Sequence, residues 1–270
     1  MKELPWLKKL YQPIQPSVSI QQRDVSYKEY HPAHPLQSLV YTYWQLKTAQ
    51  TLKEDFIYKV VSDGCIDIFF NLENPSESFV MGFCRKYTEF SLGTNFNFVG
   101  IRFFPSSFPQ LFGVSAKQLS NTSHPLKAII PTVAQFIEQT VSSSHSMPTL
   151  TQQFNQFFQQ KIQQQAFDFD FRFYDALQLI LQKNGNLDIE TDLNTGISPR
   201  QLRRLFNYYL GTTPKAFSKV VRFQYVLNAI PSFQSLKEHK LYYDAGFYDQ
   251  AHFIKDFKNF YGVTPMVAFR

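Results

Sequence analysis

Basic side chains recur at helical spacing in two stretches near the end of the chain. They are Arg200, Arg203, Arg204 and, one turn further on, the polar Asn207 in the first stretch, and Lys255 and Lys258 in the second. A guanidinium group can form two parallel hydrogen bonds to a phosphate or to the O6 and N7 atoms of guanine, and an ammonium group neutralises phosphate charge. This chemistry suits a polyanionic partner if the elements that carry these side chains present them on one surface.

The two stretches are copies of one unit. SPRQLRRLFNYYLGTTP at residues 198–214 aligns without gaps with DQAHFIKDFKNFYGVTP at residues 249–265. Each copy begins with a side chain that can cap a helix N-terminus, Ser198 or Asp249, and ends at a glycine suited to the position after a helix. Each copy therefore predicts one capped helix of about three turns.

Apolar residues give each predicted helix a buried face. They recur at the spacing of one helix face, at Leu202, Leu205, Phe206 and Tyr209 in the first copy and at Phe253, Phe257 and Phe260 in the second. At about 100° per residue, the basic side chains project from the other face. An amphipathic helix is most commonly a plain surface helix, but the duplication favours a use for both basic faces.

A glycine and an apolar residue precede each cap, in NTGI at residues 194–197 and DAGF at residues 244–247. This pattern predicts a helix-turn-helix unit, whose second helix enters the DNA major groove. The segments GISPRQLRRLF…LGTTPKAF…RF and DAGFYDQAHFIKDFKNFYGVTP together resemble the two-unit DNA-binding domain of AraC/XylS transcription regulators. The second unit is the stronger match, because GF-x-DQ-x-HF-x-(R/K)-x-F…G-x-(S/T)-P is close to that family's signature.

The resemblance implies sequence-specific binding of double-stranded DNA by two recognition helices in successive major grooves. The side chains that it places at the DNA are Arg200, Arg203, Arg204, Asn207, Gln250, Ala251, His252, Ile254, Lys255 and Lys258. For His252 a capping role, and for Ile254 a packing role, stay open as alternatives. A small-molecule effector, RNA polymerase and a second copy of the chain are further partners left open, and neither a cofactor nor a metal is implied.

The supporting helices depart from the family pattern. Residues 188–194 should form the supporting helix of the first unit, but Asp192 stands where the family favours a small apolar residue, and Tyr242 is the large equivalent in the second unit. Either the packing has adjusted or the first unit binds DNA weakly. These departures motivate the alternative reading, a protein-interaction or ligand-binding module whose helix-turn-helix domain no longer reads DNA.

A linker helix is predicted at residues 214–229, with proline at its first position. At about 1.5 Å per residue it spans roughly 24 Å. Such a linker is long enough to set two recognition helices near one DNA turn apart, about 34 Å, on the same face of a duplex.

The N-terminal half has a different pattern, with short apolar blocks between turn formers over residues 18–114. The blocks LVYTYWQL, CIDIFFNL, SFVMGFC and FNFVGIRFF predict strands of a mainly β, barrel or sandwich-like domain. HPAHPLQSLVYTYWQL, SDGCIDIFFNL and VGIRFFP resemble, less specifically, the N-terminal domain that accompanies some AraC-type regulators. Helices are predicted at residues 108–112, 115–119 and 131–141.

The predicted fold class is α+β in two domains. Residues 1–165 form an N-terminal sensor or dimerisation domain, and residues 166–270 form an all-α domain with two helix-turn-helix units and the linker helix. The glutamine-rich segment at residues 149–165 carries apolar residues at helical spacing. A connecting helix packed on the N-terminal domain is favoured there over a disordered segment or a dimer-forming helix.

Composition bounds the other classes of function. The 270 residues suffice for two domains, and 27 Lys+Arg against 21 Asp+Glu give a net charge of +6, which suits a polyanion without requiring one. Two cysteines, Cys65 and Cys84, provide no disulfide framework. The absence of a signal peptide pattern and of long apolar runs predicts a soluble, cytoplasmic protein without a membrane partner.

No catalytic or metal site is predicted. His31 and His34 lie in a proline-rich loop at the wrong spacing for two ligands on one strand. Asp63 and Asp67 are more economically a turn residue and a strand residue than a catalytic pair. The G-x-S-x-G, phosphate-loop and HExxH motifs do not occur, so an enzyme is not expected.

Overall fold

The computed structural model describes residues 5–16, 24–164, 170–229 and 241–269. Its N-terminal half contains the strands β1 (Val25–Tyr30), β2 (Val40–Thr48), β3 (Ile57–Val60), β4 (Ile66–Asn71), β5 (Asn74–Met81), β6 (Thr88–Ser91), β7 (Asn97–Phe103) and β8 (Ser123–Pro125). Six of them form an antiparallel sheet in the order β1-β2-β7-β4-β5-β8, and β3 pairs with β6 in a second, two-stranded sheet. The predicted strands at β2, β4, β5 and β7 are confirmed.

Alternation along the strands gives the large sheet two covered faces. In β4, Ile68 and Phe70 point to one face and lie opposite Ile101 and Val99 of β7. Phe69 points to the other face, where it joins an apolar cluster with residues of β3 and β6. The small sheet therefore covers one face of the large sheet, and this confirms the predicted sandwich-like domain.

Helices cover the opposite face of the large sheet. They are α2 (Ser107–Phe112), a 3-10 helix (Ala116–Leu119), α3 (Leu126–Ile129), α4 (Pro131–Thr140) and α5 (Met147–Gln163), and a short α1 (Pro5–Leu10) precedes the first strand. The glutamine-rich helix α5 buries Leu150, Phe154 and Phe158 in the same core as Ile68. Each buried phenylalanine stabilises this packing by about 1.5–3 kcal/mol. The prediction of a connecting helix packed on the N-terminal domain is confirmed.

The C-terminal part is helical. It contains α6 (Phe171–Gln182), α7 (Pro199–Leu210), α8 (Pro214–Asn228), α9 (Leu241–Asp244), α10 (Gln250–Tyr261) and α11 (Pro265–Ala268). These helices confirm the predicted fold class and the linker helix, which is α8. The predicted domain boundary between residues 165 and 166 lies outside the described residues. None of the described helices is both long and apolar enough to cross a membrane.

The supporting helix predicted at residues 188–194 is wrong, because this segment forms a single capped turn. Asp192 N donates to Asp188 O at 2.9 Å, and Glu190 N donates to Asp188 Oδ1 at 2.8 Å. Asp192 Oδ2 accepts from Asp188 N at 2.9 Å. Short acidic side chains thus bond the local backbone groups and compete with helix propagation. Asp192 is exposed, so it imposes no burial cost.

One apolar core joins both halves of the chain. Tyr11 from the N-terminal segment and Phe104 from the end of β7 share it with Phe173 of α6 and Phe217 of α8. Polar contacts fix the same boundary, because the buried Gln224 of α8 accepts from Ile14 N at 2.8 Å and donates to Ser62 O at 2.8 Å. The linker helix is therefore held against the N-terminal half.

Candidate nucleic-acid interface

The helix α7 has the caps and faces that its sequence predicts. Ser198 Oγ accepts from Gln201 N at 3.3 Å, and Gly211 ends the helix with φ +73°. Leu202, Phe206 and Tyr209 are buried in the core shared with α6 and α8. The opposite face is therefore turned away from the protein.

That exposed face of α7 forms a basic groove. It has a volume of about 570 Å³ and is lined by Ser198, Arg200, Gln201, Arg203, Arg204 and Asn207. The three arginines are exposed. Asn207 is half-buried, and its side-chain Nδ2 donates to Arg203 O at 2.7 Å, within the same helix. The structure thus brings all four predicted residues of the first unit together, with the Asn207 amide nitrogen already engaged.

The helix α10 repeats this design with two lysines and no arginine. Asp249 Oδ1 accepts from His252 N at 2.7 Å, and Gly262 ends the helix with φ +95°. Phe253, Phe257 and Phe260 form its buried face. The predicted side chains Gln250, Ala251, Ile254, Lys255 and Lys258 are exposed. The second unit therefore also presents its predicted residues to solvent.

His252 differs from the other predicted residues of the second unit because its side chain already has partners in the protein. Its Nε2 atom lies 3.2 Å from Asp256 Oδ2, and its ring packs at 75° to that of Phe247 at a centroid distance of 5.6 Å. Asp256 is also paired with Lys219 of α8, at 3.0 Å between Nζ and Oδ2. His252 therefore makes its side-chain contacts within the second unit, and the link from α10 to α8 is made by Asp256.

The fold accommodates the large side chain of Tyr242 because its ring stacks on a neighbouring aromatic ring. Its ring lies 5.9 Å from that of Phe253, at an interplanar angle of 16°. The turn that follows contains Gly246, whose φ of +78° favours glycine. Gly196 occupies the matching turn of the first unit with φ +74°. Both turns of the predicted helix-turn-helix units are therefore confirmed. In the first unit, however, the segment before this turn is the single capped turn at residues 188–192 and not a helix.

Sequence reasoning missed Tyr248, which lies directly before the cap of α10. Its side chain is 86% exposed, the largest exposure among the large apolar side chains described. It falls at the unspecified position of the GF-x-DQ pattern, so the pattern carried no signal for it. A tyrosine beside a recognition-like helix offers both a ring and a hydroxyl donor to a partner.

A groove of about 1010 Å³ lies between the two units. Its lining includes Arg203 of α7, Lys215 and Lys219 of α8, and His252 of α10. Lys215 and Lys219 are not among the residues that the sequence predicts at the DNA. Only the packing of α8 against both units brings them beside the predicted residues.

The N-terminal half holds both candidate recognition helices by their C-terminal ends. Ser120 Oγ donates to Gly211 O at 2.6 Å, after the last turn of α7. Tyr87 N donates to Asn259 O at 3.2 Å, and Asn259 Nδ2 donates to Arg85 O at 3.0 Å, in the last turn of α10. These contacts leave the capped N-terminal ends and the basic faces free of the N-terminal half.

A buried charged cluster lies in the N-terminal sheet. Arg102 of β7 contacts Asp67 on the neighbouring strand, with Nε to Oδ1 at 3.0 Å, and Asp63 at 3.8 Å. Trp44 Nε1 also donates to Asp67 Oδ1 at 2.8 Å. Burial raises the pKa of Asp67, and the positive charge of Arg102 opposes that rise. Asp63 and Asp67 are thus a turn and a strand residue, as predicted, and both neutralise one arginine. A lone arginine in an apolar strand was the sequence signal for this cluster.

An apolar cavity of about 50 Å³ adjoins this cluster. Its lining includes Trp44, Tyr58, Phe69, Phe90 and Arg102. The Tyr58 hydroxyl is buried and has no hydrogen-bond partner among the described residues.

No group of three or more His, Cys, Asp or Glu side chains in the described part of the chain is placed to hold a metal ion. His34 begins a 3-10 helix (His34–Leu36) next to the predicted loop.

Comparison with known families assigns both halves of the chain to recognised domains. Residues 194–270 match a family model described as "Helix-turn-helix domain". Residues 28–125 match one described as "Domain of unknown function (DUF6597)". No curated protein matches the chain.

Solved structures of ToxT from Vibrio cholerae are similar to the chain at low identity. ToxT from strain O395 is 13% identical with a TM-score of 0.39, and the match covers 92% of this chain and 98% of that one. ToxT from the same strain bound to (E)-4-(8-methylnaphthalen-1-yl)but-3-enoic acid is 12% identical with a TM-score of 0.40, over 91% and 98% of the two chains.

The family match, the two capped helices and their turns define the class of the C-terminal domain. It is a helix-turn-helix domain of the AraC type, the kind by which transcription regulators bind DNA, and it follows a β-rich N-terminal domain.

Proposed function

We propose that the chain is a sequence-specific transcription regulator that inserts α7 and α10 into successive major grooves of one DNA duplex. The observation that carries the proposal is the pair of capped helices, each 12 residues long, that bury an aromatic face and expose a basic one. Phosphate contacts supply most of the affinity of such a surface, and base-edge contacts supply its specificity.

The exposed side chains divide between these two tasks. Arg200 and Arg204 are suited to guanine edges, and Gln250 is suited to the N6 and N7 atoms of adenine. Ala251 and Ile254 offer apolar contact to a thymine methyl group. Lys255 can also reach the O6 and N7 atoms of guanine. The remaining predicted side chains, Arg203, Asn207, His252 and Lys258, line the same faces, where the basic ones neutralise phosphate.

The alternative, a module that no longer reads DNA, loses its motivation. It rested on Asp192 and Tyr242 as poorly packed residues in the supporting elements. Asp192 is exposed and caps a turn, and Tyr242 stacks on Phe253. The predicted contacts with RNA polymerase and with a second copy of the chain stay predictions.

Selection of bound sequences from randomised duplex DNA by the full-length chain tests the proposal. A mobility-shift titration of the selected site at fixed salt then compares wild type with the double variant Arg204→Ala, Lys255→Ala. Each lost contact to a base edge costs about 1–3 kcal/mol, so we expect affinity to fall by about 5- to 150-fold per contact.

The matched control is the double variant Lys53→Ala, Lys127→Ala. It removes the same charge from exposed positions of the N-terminal half. We expect it to bind the selected site with nearly wild-type affinity. Recovery of no preferred sequence by the wild-type chain would contradict the proposal and favour the non-DNA alternative.

We also propose that a small-molecule effector binds in the apolar cavity beside Arg102. Ligand sites are typically apolar with a few placed polar groups, and here the buried Tyr58 hydroxyl lacks a partner among the described residues. The cavity has room for about one or two water molecules. A larger effector must therefore displace side chains such as Phe90 and Leu92 around the two-stranded sheet.

A panel of small hydroxylated aromatic compounds tests this second proposal. We expect a bound compound to raise the thermal unfolding temperature of the wild-type chain and to change its affinity for the selected DNA. Tyr58→Phe removes only the hydroxyl, so it should weaken both effects. Compounds that act equally on wild type and Tyr58→Phe would place the effector elsewhere.

A further inference from the structure

One side chain of the linker helix joins the two helix-turn-helix units. Arg222 of α8 donates from Nη1 to Gly246 O at 2.7 Å and from Nη2 to Gly185 O at 2.8 Å. Gly246 lies in the turn before α10, and Gly185 lies in the loop that leads from α6 into the first unit. The two ends of one guanidinium group therefore hold the loop that enters the first unit and the turn of the second unit.

The two loops also contact each other and α8 so closely that no side chain fits between them. A Cβ atom on Gly246 would lie 2.0 Å from Asn186 Oδ1, and one on Gly185 would lie 2.1 Å from Ser218 O. Ser218 Oγ donates to Gly185 O at 2.8 Å, one helical turn before Arg222. These approaches leave the loops little freedom to slide, because protein interiors transmit displacement through close packing.

Two further contacts support the same junction. The ring of Phe247, in the second unit, lies 5.2 Å from the Arg222 guanidinium carbon. Lys219, three residues before Arg222 on α8, pairs with Asp256 of α10. Arg222 and Lys219 therefore reach the second unit from one face of the linker helix.

An arginine is suited to this junction for a geometric reason. Its planar guanidinium group has donors fixed in a fork, so two carbonyl groups that it bonds are held at a set separation. A lysine has one ammonium group on a flexible stem and imposes no such separation. The fork lies between the loop that leads from α6 into the first unit and the turn that leads into α10.

We propose that Arg222 is a positioning residue that fixes the spacing and relative orientation of α7 and α10, and thereby the number of base pairs between the two half-sites of the DNA. This inference rests on the proposed DNA-binding function. Arg222 acts through the two loops and not through contact with DNA. Its removal should therefore change how strictly the spacing of a site is read, more than it changes the affinity of either unit.

A distance measurement without DNA tests the positioning role directly. Spin labels at Arg204→Cys and Lys258→Cys report the separation of α7 and α10, and both positions are exposed, whereas Cys65 and Cys84 are buried. We expect a narrow distance distribution in the otherwise wild-type chain and a broader one with Arg222→Ala. Arg222→Lys should fall between them. An unchanged distribution with Arg222→Ala would overturn the inference whether or not the chain binds DNA.

A binding measurement tests the consequence for DNA. The selected site is varied by inserting or deleting one or two base pairs between its half-sites, and isolated half-sites are titrated beside it. The wild type should prefer one spacing by about tenfold, as for two linked modules matched to one geometry. Arg222→Ala should flatten this preference and leave half-site affinity within about twofold of wild type, since each unit keeps its own contacts.

Lys215→Ala is the matched control, because it removes one charge from an exposed position of the same helix. It should lower affinity for all spacings alike, as loss of a phosphate contact does. Equal loss at half-sites and full sites with an unchanged spacing profile for Arg222→Ala would show a merely structural role. If Arg222→Ala fails to fold, Arg222→Lys carries both tests. Absence of DNA binding by the wild type would refute the proposed function, and the label distances would still decide the positioning role.

Discussion

Side-chain oxygen atoms cap the N-termini of the long helices of the C-terminal domain. Each capping side chain accepts a hydrogen bond from a backbone N–H in the first turn of its helix. The caps are Asp170 of α6, Ser198 of α7, Thr213 of α8 and Asp249 of α10. Each cap stabilises its helix by about 1 kcal/mol. The caps at α7 and α10 also fix where the two candidate recognition helices begin. Arg204 and Lys255 therefore lie at matching positions, six residues after each cap.

Asp170 makes one of these caps dependent on pH. Its carboxylate accepts from Arg172 Nε at 3.0 Å, from Arg172 Nη2 at 2.8 Å and from Arg172 N at 3.1 Å, and the side-chain bonds to Arg172 lower the pKa of Asp170. A lowered pKa in the folded state stabilises the fold above the unfolded-state pKa of about 3.9. The stabilisation is then lost as the pH falls through the folded-state pKa.

The variant Asp170→Asn keeps an oxygen that can cap and removes the charge. We expect wild type to exceed it slightly in free energy of unfolding at pH 7, because solvent screens the exposed pair, and the difference should shrink as the pH falls below about 4. Urea unfolding at a series of pH values measures this. Asp175→Asn, on the exposed side of the same helix, is the control and should show no such trend. A difference that grew towards low pH would contradict the assignment.

At the scale of elements, two glycines have the same left-handed backbone conformation but different surroundings. Comparing them distinguishes the local strain of that conformation from tertiary packing. Gly196 and Gly211 have φ of +74° and +73°. A Cβ on Gly196 would meet nothing within 4 Å, whereas one on Gly211 would lie 2.3 Å from Ser120 Oγ and 2.6 Å from Ala116 O. The end of α7 is thus pressed against the 3-10 helix of the N-terminal half.

Alanine substitutions at these glycines have different expected costs. Gly196→Ala should lower the free energy of unfolding by about 1–2 kcal/mol, the cost of a left-handed backbone for a residue with a Cβ. Gly211→Ala should cost about 1–3 kcal/mol more, because the 3-10 helix must also move. Urea unfolding of the two variants measures the difference. Equal losses would mean that the end of α7 is not packed against the N-terminal half.

At the scale of the whole molecule, the shared core predicts that both halves unfold together. Gln224 is 1% exposed and bonds to Ile14 and Ser62, so it ties α8 to two segments of the N-terminal half. Wild type should show one thermal transition by calorimetry, with the same midpoint by far-UV and near-UV circular dichroism.

The variant Gln224→Ala removes these contacts and leaves buried backbone groups without partners. We expect the variant to lose about 1–3 kcal/mol of free energy of unfolding and to unfold at a lower temperature. The unfolding transitions of the two halves should begin to separate. Gln182→Ala, an exposed glutamine of α6, is the control and should leave the transition unchanged. Two well-separated transitions in wild type would contradict the coupling of the halves.

The sequence by itself determined the features that depend on neighbouring residues. The caps, the glycine ends and the two-faced spacing of α7 and α10 each involve residues within a few positions of one another, and the strand blocks of the N-terminal half follow from alternation. The repeat of the two copies is also visible from residue types and spacing within short stretches, and the family resemblance follows from that repeat. The same rules failed at residues 188–194, where helical spacing was outweighed by the capping bonds of Asp188 and Asp192.

Tertiary structure alone decided which distant residues meet. The pairing of Arg102 with Asp67 depends on the register of β4 with β7, and the bridge from Arg222 to Gly185 and Gly246 depends on the packing of three separate segments. The position of Tyr11 in the core of the C-terminal domain is a further case. Such contacts are selected by the packing of the whole chain, and no spacing within a short stretch of sequence encodes them. The two recognition-like helices are therefore readable in the sequence, while the arrangement that holds them relative to each other is not.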